Sequence, residues 1–227
     1  RSTLFPYTTL FRSGSWRFNN AGILTQVEKS NVTVRDDVDM TVYGNGVTTN
    51  AKDSSVRIAG GGAIQVPAGM KYSYYALAAY QGAVSMNMGD DGTKPGNNKT
   101  GNNIADVKLN GDLFALPTGR LDVALMTNKS YLHGLVDSGG TANLYLQNGA
   151  TWLNEGRNIR YYQDVEDVGA GELVEVAGKK LYVGQSHVTK FFGGETEGKR
   201  GVIYQRDANP ITIDNYSGHT EIGRAHV

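Results

Sequence analysis

The sequence predicts an all-β fold of short strands stacked as a solenoid, and three observations predict it. Apolar and polar residues alternate in many runs of only three to five residues, the period-two pattern of strands with one buried face. Gly and Asn number 30 and 18 among 227 residues, too many for a helix-rich domain when Gly costs about 1 kcal/mol relative to Ala at each helix-interior site. The alternating runs also recur at a degenerate spacing near 20 residues, which marks stacked coils rather than a hairpin barrel.

The runs are Val32-Thr33-Val34, Met40-Thr41-Val42, Val56-Arg57-Ile58, Ile64-Gln65-Val66, Val84 to Met88, Val107-Lys108-Leu109, Leu121 to Leu125 and Leu144-Tyr145-Leu146. One strand per cycle, marked at Val32, Val56, Val84, Val107, Val123 and Leu144, gives steps of 24, 28, 23, 16 and 21 residues. Between them stand Tyr43-Gly44-Asn45-Gly46, Gly60-Gly61-Gly62, Asn110-Gly111-Asp112, Ser138-Gly139-Gly140 and Asn148-Gly149. These supply the left-handed backbone that sharp bends between flat strands require.

No convincing amphipathic helix interrupts this pattern. Gly69 to Gly82 is expected to be irregular strand, and Asp90 to Asn103 a protruding polar loop. Charge density rises from Asn154 to Gly178, and residues 154–178 are expected to be an insertion between coils rather than two further coils with longer turns. Alternation is expected to resume at Leu181-Tyr182-Val183, Gly201 to Tyr204 and Ile211-Thr212-Ile213.

The two ends do not share this texture. Residues 1–13 (RSTLFPYTTLFRS) resemble the in-frame translation of a sequencing-library adapter, and residues 221–227 (EIGRAHV) resemble its partner. Leu10-Phe11-Arg12-Ser13 can be encoded CTC TTC CGA TCT, whose reverse complement is AGATCGGAAGAG. Preceded by G and read in another frame, that encodes Glu-Ile-Gly-Arg, as at Glu221 to Arg224. Both ends are therefore expected to be non-native and without a structural role, and residues 14–220 to be cut from something longer.

Formal charge over the whole chain is balanced at 22 basic and 22 acidic residues. Without Arg1, Arg12, Arg224 and Glu221 it becomes 19 against 21, slightly acidic. A strongly basic nucleic-acid binder is excluded on that ground. Cysteine is absent, which excludes disulfides, thiolate metal sites and a cysteine nucleophile.

Asn143 to Trp152 (NLYLQNGATW) resembles the recurring coil of bacterial autotransporter passenger domains, a strand followed by an Asn-Gly turn and a small residue–Thr–Trp step. Ser186 to Gly194 is similar to the next such coil, and Gly201 to Thr220 to a further one with its turn at Asp214 to Gly218. The stretch between Trp152 and Ser186 is longer than the usual linker. The resemblance implies a right-handed parallel β-helix, here partial and uncapped, displayed at the bacterial cell surface by type V secretion. It would be joined to an outer-membrane barrel beyond Thr220. The implied function is a non-catalytic adhesin or self-association stalk whose partners are host or bacterial surface glycans or proteins, with no nucleic acid and no cofactor.

Candidate chemistry is sparse. His133, His187 and His219 have no metal-binding spacing and are expected at turns or strand surfaces. The carboxylates Asp36, Asp37 and Asp39, and the pair Asp90-Asp91, would serve the alternative reading of a β-helix polysaccharide lyase or hydrolase. A phage or surface-layer solenoid is a third reading. Gly60-Gly61-Gly62 has no following Lys-Ser/Thr and is expected to be a turn. His133, Asp137 and Ser138 lack a Gly-x-Ser-x-Gly elbow. Two aromatic groups, Tyr72, Tyr74, Tyr75 and Tyr80, and Tyr161 and Tyr162, are candidate contact residues, with stacking inside the solenoid as the competing reading.

Overall fold

The computed structural model describes residues 20–68, 74–89, 95, 105–157, 160–161, 172–176, 178–206 and 210–224. Within them the regular secondary structure is strand throughout, apart from one short 3₁₀ turn at Glu197–Lys199. It runs in circuits, each visiting a large sheet and then a smaller one. The first circuit is β1 (Ala21–Thr25), β2 (Asn31–Val34) and β3 (Val38–Thr41). The second is β4 (Asn45–Ile58) and β5 (Gly62–Gln65), and the third β6 (Tyr75–Met86) and β7 (Val107–Asn110). The fourth is β8 (Asp112–Ala115), β9 (Gly119–Leu125) and β10 (Tyr131–His133), and the fifth β11 (Val136–Ser138), β12 (Thr141–Leu146) and β13 (Thr151–Asn154).

At the end of β13 the chain leaves the stack for β14 (Arg160–Tyr161), β15 (Glu172–Val176) and β16 (Lys179–Val183), a separate three-stranded antiparallel sheet in the order β14-β16-β15. It returns as β17 (Ser186–Phe192) and β18 (Gly201–Gln205), then β19 (Ile211–Ser217) and β20 (Thr220–Arg224). The large sheet has ten strands, seven along the path β1-β4-β6-β9-β12-β17-β19 and three beside it, β2 on β4, β8 on β6 and β11 on β8, and the smaller has seven in the order β20-β18-β13-β10-β7-β5-β3. Every pairing within these two sheets is parallel.

Parallel register puts like side chains on top of one another. On the inner face of the large sheet one ladder runs Val34, Ile58, Met86, Val123, Leu144, Phe191, Tyr216. The facing ladder of the small sheet runs Met40, Ile64, Leu109, Leu132, Trp152, Ile203, Ile222. Nearly all of these belong to one continuous apolar cluster between the sheets. The last rung of each ladder has no described strand beyond it, and there Tyr216 and Ile222 are 54% and 77% exposed.

Local sequence explains where strands bend or stop. The long strand β4 shifts register around Asp53, which takes φ 56°, and β6 turns at Gly82 with φ 77°. In the next circuit the strand is broken outright by Leu116-Pro117-Thr118, where proline offers no N–H to a ladder. Asn148 and Gly149, at φ 54° and 79°, make the bend that carries β12 into β13. A Cβ on Gly140 would collide with the carbonyl oxygens of Leu116 and Gly119 in the circuit below, so close approach, not turn geometry, demands glycine there.

The structure corrects two expectations. Val32 and Val56, Val56 and Val84, and Val123 and Leu144 are indeed partners or near partners in the large sheet, at steps of 24, 28 and 21. Val107, however, lies in the small sheet opposite Gly62, and Val84 steps directly to Leu121. Alternation has the same period in both sheets and does not say to which one a strand belongs. Secondly, the excursion expected over 154–178 continues through Val183, so Leu181-Tyr182-Val183 belongs to the antiparallel sheet and the parallel stack resumes at Ser186. From Tyr75 onward Gly69 to Gly82 is strand as expected, part of the 12-residue β6, and irregular in its pairing between Tyr75 and Leu77. The loop expected at Asp90 to Asn103 lies outside the described residues except for Pro95, as do residues 1–13.

Trp152 has no solvent exposure and its indole Nε1 donates to the Gly134 carbonyl at 2.9 Å. Trp152→Ala should therefore destabilise the fold by about 3–5 kcal/mol, the usual cost of emptying a large aromatic site. Urea unfolding followed by circular dichroism checks this, and a loss below about 1 kcal/mol, far short of that range, would contradict the packing described.

Candidate functional site

With the inward positions buried and mostly apolar, function is left to the outward faces and to the places where the chain leaves the stack. On the large sheet one outward row runs Arg57, Ser85, Asp122, Asn143, Lys190, Asn215. Asp122 anchors its middle. The Arg120 guanidinium donates to both of its oxygens, Nε to Oδ2 at 2.6 Å and Nη2 to Oδ1 at 3.0 Å, and Asn143 Nδ2 donates to Oδ1 at 2.7 Å. The hydrogen bond to Asp122 raises the Arg120 pKa further above its already high ordinary value. Beside this row Tyr145 and Phe192 stack at 4.2 Å with planes 12° apart. Burial, and then the Asp122 charge, push the Tyr145 hydroxyl pKa upward, so the ring presents a neutral phenol.

The small sheet carries the densest charge cluster, at the root of the antiparallel excursion. His133 Nε2 lies 2.8 Å from Glu155 Oε2. Arg206 Nη1 donates to Glu155 Oε1 at 3.3 Å and Oε2 at 3.1 Å, and Arg157 Nη1 stands 3.4 Å from His133 Nε2. Beneath them Asp112, 4% exposed, accepts the backbone N–H groups of Leu135 and Arg157. Ser186 Oγ donates to Asn154 Oδ1 at 2.6 Å and accepts from the Val136 N–H, while Asn154 Nδ2 donates to Gln205. The exit at Asn154 to Arg157 and the return at Ser186 are thus tied to one another and to the circuits on either side.

A third cluster centres on His187, on the outward side of β17. Its Nδ1 is 2.9 Å from the Ser138 carbonyl oxygen and its Nε2 2.9 Å from Asp214 Oδ1. Burial alone would lower its pKa, but the hydrogen bonds to Asp214 and Ser138 and the Asp214 charge outweigh that and raise it above 6.5.

The residues singled out in the sequence are distributed differently from the expectation of a contact patch. Tyr74, Tyr75 and Tyr80 are all buried. Tyr74 joins the main core, whereas Tyr75 and Tyr80 pack with Ala78 and Phe114 in a second cluster. There Tyr75 stacks on Phe114 at 4.6 Å and Tyr80 meets its edge at 5.5 Å. These three tyrosines fill space rather than offer surface. Tyr161 ends β14, and Tyr72 and Tyr162 lie outside the described residues.

Of the acidic group, Asp37 Oδ1 accepts the Gly61 N–H and Asp39 Oδ1 the Ala63 N–H, both at 2.9 Å, so each carboxylate holds the backbone of the following circuit. His133 and His187 lie on strand surfaces, and His219 is exposed and bridges to Gly194, as expected of turn and surface histidines. Their carboxylate partners, 22 and 27 residues away, had no signal in the sequence. His187 faces the carbonyl of Ser138 rather than its hydroxyl. Among the described residues no three His, Asp or Glu side chains converge as a metal site.

Comparison with known proteins returns no matching family model, no matching curated protein and no matching solved structure.

Burial alone would raise the Glu155 pKa, but hydrogen bonds from His133 and Arg206, with their charges, outweigh it and hold the carboxyl below its ordinary 4.5. A depressed folded value means a stabilising contribution present above the unfolded pKa and lost as pH falls through the folded one. Glu155→Gln should accordingly weaken the fold at neutral pH and flatten its stability curve between about pH 5 and pH 3, the range around a carboxylate's ordinary value. Thermal unfolding of both proteins across that range is the measurement, and parallel curves would remove Glu155 from the role described.

Proposed function

We propose that residues 14–220 are a section of the right-handed parallel β-helix of an autotransporter passenger, acting without catalysis as an adhesin or self-association stalk. The observation that carries the reading is the in-register parallel stacking of two sheets visited in turn. Such stacking extends by adding circuits, each stabilised by contact with its neighbours, and so suits a protein whose task is to project surface. The segments that resemble passenger coils fit the same frame. Asn143 to Trp152 spans β12, the Asn148-Gly149 bend and the start of β13, Ser186 to Gly194 covers β17, and Gly201 to Thr220 runs from β18 to the start of β20.

On this reading, partners bind on the exposed parts of outward rows, such as Lys190 and Asn215, and are surface glycans or proteins, with a second copy of the chain as the self-association case. Residues 1–13 and 221–227 are proposed to be adapter translation. The pairing of Glu221 to Arg224 with β18 is compatible with that origin, because an open parallel edge pairs through main-chain groups that every residue carries.

Extending the DNA sequence on both sides tests the proposal directly. Further coils on both sides and a carboxy-terminal outer-membrane barrel downstream are expected. A reading frame that ends after Thr220 without a barrel would overturn the autotransporter reading, and a phage or surface-layer solenoid would then be preferred.

A further inference from the structure

We propose that His187 is a protonation-dependent clasp that binds three successive circuits together and loosens the β17–β19 pairing when it loses its proton. The argument begins with donor counting. A neutral imidazole carries one N–H and one bare nitrogen, whereas an imidazolium carries two N–H groups. Both ring nitrogens of His187 stand 2.9 Å from oxygens that can only accept, the Ser138 backbone carbonyl and the Asp214 carboxylate. Only the protonated ring satisfies both. Either neutral tautomer leaves a lone pair facing an oxygen lone pair at hydrogen-bond distance.

The placement gives this proton mechanical consequence. Ser138 ends β11 in the fifth circuit, His187 lies in β17, and Asp214 lies in β19, the last strand of the large sheet's path. The ring therefore stitches across the stack, perpendicular to the strands, where the main-chain ladder of β17 and β19 also runs. Among the described residues the charged groups on these elements are Asp137 on β11, Lys190 on β17 itself and Asp214 on β19. Asp137 is buried beside Gly184, and Lys190 pairs in register with Asn215, one residue beyond Asp214. The clasp has a counterpart on the small sheet, where Glu155 joins His133 to Arg206 across three circuits. That stitch has a second, guanidinium arm, which the His187 clasp lacks.

Linkage sets the direction. His187 is held more readily protonated in the folded chain than in the unfolded one, for which the ordinary value is 6.5. Its contribution is whole below that value and is lost as pH rises through the higher folded value. Since β19 is paired on one side only among the described strands, it is the strand released.

The test is imidazole nitrogen NMR on the full 227-residue chain, with His187 assigned by its disappearance in His187→Gln. At pH 6 both His187 nitrogens should show the imidazolium shift, and the midpoint should lie above the ordinary 6.5. Asp214→Asn should move the midpoint down toward 6.5, by at least a several-fold change in proton affinity. Amide exchange supplies the second readout: protection of Ile211 to Ser217, corrected for intrinsic pH dependence, should fall across the His187 midpoint while Leu144 and Leu146 of β12 hold theirs. In Asp214→Asn that pH-dependent step should vanish. A neutral single-tautomer ring at pH 6, a midpoint unmoved by Asp214→Asn, or β19 protection that does not change across the midpoint would each overturn the proposal.

Discussion

In-register parallel pairing is the constraint on which the rest of this molecule depends. Strands spaced about 4.8 Å apart along the stack place each side chain directly above the corresponding one of the previous circuit. An inward position is then apolar in most circuits, because a polar group there is buried among neighbours both above and below; where hydroxyls do enter, as in the row Thr25, Thr49, Ala79, Ala115, Ser138, they are small. The two ladders that end at Tyr216 and Ile222 satisfy this with no polar member. Small residues are needed for a related reason: where circuits touch through their backbones, as at Gly140 against Leu116, a single extra carbon has nowhere to go.

The same constraint governs charge on the outside. Like charges stacked directly would repel along the whole axis, so the outward rows alternate type and are tied across circuits instead. Asp122 takes Arg120 from its own strand and Asn143 from the next, Glu155 joins His133 to Arg206, and His187 joins Ser138 to Asp214. Even the acidic group near the start of the chain is used this way, with Asp37 and Asp39 each accepting a backbone N–H from the following circuit. Side chains that looked like chemistry in the sequence are largely engaged in holding one circuit to another.

The antiparallel sheet of β14, β15 and β16 is the one departure from parallel pairing among the named strands. Its own pairing is internal, and its entry and exit are pinned by the buried polar groups Asp112, Asn154 and Ser186. That arrangement lets an excursion of about 30 residues, from Asn154 to Ser186, interrupt the stack without displacing the register on either side.

Much of the architecture was legible before the fold was known. Short alternating strands, Gly and Asn at bends, the steps from Val32 to Val56 to Val84, and the presence of an excursion after Trp152 all follow from local rules of backbone conformation and period-two burial, which act within a few residues. What only the tertiary structure decided are the relations between circuits. Val107 alternates like its neighbours yet belongs to the other sheet, and Tyr75 and Tyr80 look like a surface patch yet are packed against Phe114 from the next circuit. His187 and Asp214, 27 residues apart, meet only because one circuit lies on another. Alternation records that a strand has two faces; which faces meet is set by register, and register is a property of the stacked chain rather than of any one segment.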